Sequence, residues 1–88
     1  MNKLIIIRGN SGSGKTTVAK MLQKKLGLNT FLISQDVVRR EMAYVKDGKD
    51  NSAIPLLIKL LEHGHANHTV TILEGILYQK WYAILFEI

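Results

Sequence analysis

The sequence predicts an α/β protein: a parallel sheet of three strands flanked by helices. Three observations carry that expectation. Short apolar runs at residues 4–8, 30–34 and 69–74 alternate with stretches whose apolar residues recur at helical spacing. A glycine-rich loop joins the first run to the first helical stretch. That loop, Asp36 and Glu74 all fall at or just after the end of a run, the edge where ligands bind in parallel sheets.

The bulk numbers narrow the class. The 88 residues suffice for one domain with a modest core. An apolar content of 47% excludes a disordered chain. With no cysteine, a disulfide framework and a thiolate metal site are excluded, and a reducing cytoplasm is the expected compartment. Lys3 and Arg8 bracket a first apolar run too short for a membrane span or a signal sequence, so no membrane partner is expected. The net charge of +5 suits an anionic partner. Nucleotide phosphates account for part of it, and Lys20, Lys24 and Lys25 on the polar side of a helix for more. Basic and aromatic residues do not interleave, which argues against nucleic acid.

Each element has its own reason. Residues 4–8 form a continuous apolar run, as in a strand covered on both faces. Over residues 14–26, Val18, Met21, Leu22 and Leu26 recur as the buried stripe of a helix, and Gly27 stops it. Residues 30–34 form the second strand, and a new helix begins at Asp36. Residues 46–50 are polar and turn-like. Asn51 or Ser52 can cap a third helix that tolerates Pro55 in its first turn. Ile54, Leu57, Ile58, Leu60 and Leu61 form its buried side, and Gly64 closes it. Residues 69–74 are the third strand. From Ile76 onward, Leu77, Trp81, Tyr82, Ile84 and Leu85 suggest a further helix.

The loop after the first strand carries the sharpest signal. Gly9, Gly14, Lys15 and Thr16 satisfy G-x-x-x-x-G-K-[ST], the P-loop or Walker A motif. Gly9, Gly12 and Gly14 allow backbone angles that turn successive N–H groups toward an anion. The helix opening behind them adds its positive dipole end. Lys15 supplies a full charge for the outer phosphates, and the Thr16 hydroxyl is a hard oxygen that Mg²⁺ accepts. Gly9, Asn10, Ser11, Gly12, Ser13, Gly14, Lys15, Thr16 and Thr17 are therefore the candidate nucleotide-binding residues, with ATP and Mg²⁺ as expected ligands.

Asp36 and Arg39 lie three residues apart just after the second strand, and Glu74-Gly75 ends the third. With the P-loop, these stretches resemble the small P-loop kinases, which move the terminal phosphoryl group of ATP to a small acceptor. An Asp-x-x-Arg in this place is similar to that of polynucleotide 5′-kinases and related small-molecule kinases. The resemblance implies a nucleoside-kinase-like three-layer α/β/α fold, with Lys15, Asp36 and Arg39 as the catalytic set. Asp36 would take the proton of the attacking hydroxyl, and Arg39 would grip an acceptor anion. Glu74 is similar to the Walker-B-like acidic residue of nucleoside monophosphate kinases, usually Asp, which implies metal-site roles for Thr16 and Glu74. The bland alternative for Asp36 is an ordinary helix N-cap.

The resemblance spans the whole chain but about half of such a kinase domain. Residues 1–88 are thus expected to be a single P-loop kinase-like domain truncated at its C-terminus. The acceptor implied is a nucleoside, sugar or antibiotic hydroxyl. A second reading is a nucleotide-binding module without turnover, its incomplete sheet covered by a homo-oligomer or a partner chain. His63, His65 and His68 form His-x-His-x-x-His, expected as a solvated helix end and loop away from the P-loop rather than as a zinc site.

Overall fold

The computed structural model describes residues 2–9, 14–48 and 51–77. Asn10, Ser11, Gly12 and Ser13, and the helix expected beyond Leu77 with Trp81 and Tyr82, lie outside the described residues.

The three strands form as the apolar runs predict: β1 (Lys3–Arg8), β2 (Thr30–Ser34) and β3 (Val70–Gly75). All pair in parallel, in the order β1-β3-β2. The last strand in sequence is thus the central one. Its run from Thr71 to Gly75 is buried throughout, which is why it contains no exposed charge. Two crossover segments connect the strands. Helix α1 (Lys15–Leu26) packs on β2 and β3, and helix α3 (Ala53–Asn67) packs on β3 and β2. Between β2 and α3 lie a single α-turn, α2 (Gln35–Val37), and a π-helix (Val38–Ala43).

Strand alternation sorts the core. Leu73 and Ile33 pack with Leu57, Leu61 and Ile54 of α3, and Val38 joins them. The neighbours of Leu73 in β3, Ile72 and Glu74, point to the opposite face, where Thr16 of α1 meets Glu74. Fully burying side chains such as Leu57, Ile72 and Leu73 stabilises by about 1.5–3 kcal/mol each.

Three expectations need correction. On α1, Val18, Met21 and Leu26 are exposed, and the buried residue is Ala19. A helix crossing close over a sheet favours a small side chain at the contact, so the large apolar stripe lies off it. Asp36 does not cap its helix: Ser34 does, its hydroxyl accepting from the Val37 N–H at 3.4 Å. Gly64 does not close α3, which runs on to Asn67 with the His68 N–H bonded to the Gly64 carbonyl.

Gly64 is instead a point of close approach. A Cβ there would collide with Thr71 Oγ1 and stand 3.0 Å from Phe31 Cδ2. Gly64→Ala gains about 1 kcal/mol of helix propensity but overpacks a rigid, buried threonine, at roughly 1–3 kcal/mol. The substitution should therefore destabilise by about 1 kcal/mol in urea unfolding. In a Thr71→Ala background, with the obstructing atoms gone, the same substitution should be neutral or stabilising. Among the described residues, no helix is long and apolar enough to cross a membrane.

Candidate functional site

Strand register gathers the site at one edge. Ile7, Ser34 and Glu74 are aligned across the three strands, and Arg8 is level with Gly75. The chain leaving each strand therefore emerges beside the other two. Arg8 Nη2 donates to the Leu77 carbonyl at 2.8 Å and ties the segment after β3 to the end of β1.

At the head of α1, Gly14 has φ 79°, a left-handed conformation that a Cβ would strain. No atom of the described residues lies within 4 Å of where that Cβ would sit. Lys15 begins the helix and is half-buried. Beside it on the same edge, Thr16 Oγ1 donates to Glu74 Oε2 at 2.8 Å. Glu74 is 1% exposed, and its other oxygen, Oε1, is buried with no hydrogen-bond partner among the described residues. A carboxylate oxygen left in that state is costly unless a cation or its water shell meets it.

That orphaned oxygen tests whether the expected metal fits. A hydroxyl whose proton is committed to Glu74 presents its lone pairs elsewhere, as a hard-cation ligand must. A carboxylate behind it orients it and raises its electron density. Thr16 as ligand and Glu74 as its supporting carboxylate fit Mg²⁺.

The third component lies after β2. Asp36 Oδ1 accepts from Arg39 Nη2 at 3.1 Å, and Arg40 Nε lies 2.9 Å from the same oxygen in a second ion pair. Arg39 is drawn inward, its side chain 13% exposed. Its Nη1 donates to the Val45 carbonyl at 3.3 Å, and its Nε lies 3.9 Å from Asp47 Oδ2. Arg39 thus braces the turn after the π-helix, where the Val45 N–H also bonds the Arg39 carbonyl and Tyr44 takes φ 57°. Sequence reading missed both Arg40 and the role of Asp47. The i,i+4 spacing of Asp36 and Arg40 was the available signal for the first. Gln35, between Ser34 and Asp36, packs so tightly on Gly75 that a Cβ at Gly75 would meet its own Cβ at 2.6 Å, which fixes this helix turn against the end of β3.

The histidines lie at the opposite edge. Phe31 stacks on His68 at 4.6 Å between ring centroids and meets His63 edge-on at 5.4 Å. Two of the three rings are therefore packed, where a solvated loop was expected. Asn2 donates to the His65 carbonyl. Among the described residues, no group of three His, Cys, Asp or Glu is placed to hold a metal ion. A cavity of about 410 Å³ beside Lys3, Leu61 and His65 is also at this edge and takes no part in the P-loop site.

The sequence profile of the AAA domain family matches residues 4–85, which takes in β1 from Leu4, β2, β3 and the P-loop. The chain belongs to the AAA domain family. No curated protein and no solved structure matches it. As an AAA domain it is a P-loop domain of the nucleotide-binding kind, and its three-stranded parallel sheet with flanking helices is the corresponding α/β fold.

Proposed function

We propose that this AAA domain binds ATP with Mg²⁺ at its P-loop and transfers the terminal phosphoryl group to a hydroxyl of a small acceptor, such as a nucleoside, sugar or antibiotic. The observation that carries the reading is the Thr16–Glu74 pair, whose buried, unpartnered Oε1 suits a cation, set on the same sheet edge as Asp36. Magnesium, when bound, would neutralise charge on the phosphates. The rest falls to this chain's residues. Lys15 and the backbone at the head of α1 hold the outer phosphates, and Thr16 offers the metal its hydroxyl. With Oδ1 of Asp36 occupied by two guanidinium groups, Oδ2 remains to accept the hydroxyl's proton. The new oxygen–phosphorus bond then replaces the one to ADP.

Calorimetric titration of ADP and Mg²⁺ tests the first half. The chain should bind, and Lys15→Ala should weaken binding by at least about tenfold, the loss of one charge-assisted contact. A folded chain that does not bind, or a variant that binds equally, would overturn the P-loop assignment.

A further inference from the structure

The π-helix presents two arginines to one carboxylate, and the structure treats them differently. Arg39 is 13% exposed and donates to Asp36 and Val45, while its buried Nε lies 3.9 Å from Asp47 Oδ2 with no hydrogen-bond partner among the described residues. Arg40 is 66% exposed and touches Asp36 through Nε alone among the described contacts. Charge follows the same division. Arg39 lies between Asp36 and Asp47, so its cation is already compensated inside the fold. Arg40 meets one carboxylate, Asp36, which it shares with Arg39. With the ion pair at Nε, the two terminal nitrogens of Arg40 make no contact among the described ones, and they are the fork that a bidentate contact with an oxyanion uses.

We propose that Arg40 is the specificity-determining residue for the acceptor: it binds an anionic group, phosphoryl or carboxylate, carried on the acceptor near the hydroxyl that Asp36 receives. Arg39, the residue that the sequence pattern offers for this task, is a positioning residue that holds Asp36 and the turn at residues 44–47. The inference rests on the phosphotransfer reading above and narrows its acceptors to anionic ones. The geometry ties the two functions together. Arg40 Nε lies 2.9 Å from Asp36 Oδ1, so a hydroxyl on Oδ2 and an anion on the guanidinium would be held by two side chains in direct contact. An acceptor that reaches both carries its charge within a few bonds of its hydroxyl.

The test uses inorganic phosphate, with acetate as the carboxylate arm, titrated into the full chain saturated with ADP and Mg²⁺. Arginine Nε–Hε and backbone amide signals are both followed by NMR, so a response at Arg40 is read separately from one at residues 9–16. The expected result is a saturable shift of the Arg40 signal. Arg40→Gln should weaken this second binding event at least about tenfold, and Arg40→Lys should restore part of it. The thermal transition of either variant should stay near that of the parent, because the ion pair is exposed. Phosphate shifts confined to the P-loop, or equal binding by Arg40→Gln, would overturn the inference while leaving the nucleotide reading intact. If ADP fails to bind, the same titration without it still reports whether Arg40 takes the anion, and a silent Arg40 overturns the assignment there too. A response matched by chloride at equal ionic strength counts against it.

Discussion

Glu74→Gln should weaken binding of ADP with Mg²⁺ by about 10–100-fold while leaving binding of ADP without the metal nearly unchanged. The reason is local. The Thr16 hydroxyl can donate to an amide oxygen as it does to Oε2, so the substitution keeps the hydrogen bond and the shape of the site. What it removes is the negative charge behind the metal ligand, and what it adds at the second position is an amide N–H₂ that repels a cation. The same substitution should not destabilise the metal-free fold. Glu74 is 1% exposed, with one oxygen lacking a partner among the described residues, so a neutral side chain relieves a desolvation cost. Paired titrations with and without Mg²⁺, and thermal unfolding of both proteins, separate these effects. If Glu74→Gln lowers affinity equally in both titrations, the carboxylate serves the phosphates or the fold rather than a metal.

This division between fold and site explains how much was legible beforehand. The strands could be read because each is a continuous apolar run, and a strand covered on both faces tolerates little else. The P-loop could be read because its chemistry is local: glycine, lysine and threonine at fixed spacing act through backbone within one turn, and Gly14 takes the left-handed angle the motif requires. Asp36 and Glu74 could be placed on one and the same edge because strand direction determines which ends carry the loops.

Packing direction was not legible. The stripe Val18, Met21, Leu26 has helical period, yet period states only that a face exists, and the face toward the sheet carries Ala19. Gly64 reads as a stop because glycine is common past helix ends, whereas here it lets α3 approach Thr71. The distinction depends on a strand that follows closely in sequence but packs beneath the helix. The arginines show the same limit. Asp-x-x-Arg predicts that Arg39 is near Asp36, which it is at 3.1 Å, but burial and the Val45 carbonyl decide which arginine turns inward.

Asp36→Asn should lower phosphoryl transfer by about 10²–10⁴-fold, the usual contribution of a positioned general base. The amide keeps an oxygen toward the two guanidinium groups but can neither accept the hydroxyl's proton nor balance Arg39 and Arg40. Some loss of stability is expected, and it should be small. Asp36 is 52% exposed, and exposed ion pairs contribute about 0–1 kcal/mol. Arg39 retains its donation to Val45 and the nearby Asp47 carboxylate. Nucleotide binding should be unchanged, because no contact of Asp36 involves the P-loop residues described. ADP release from ATP, followed with a panel of phosphorylated and unphosphorylated nucleosides and sugars, provides the rate. Calorimetry provides the affinity, and unfolding provides the stability. A variant that binds ADP as the parent does, melts near it and fails to transfer would mark Asp36 as the group that receives the proton. Transfer at the parent rate would leave Asp36 as the anchor of two arginines, and the base would have to be sought among the other groups on that edge.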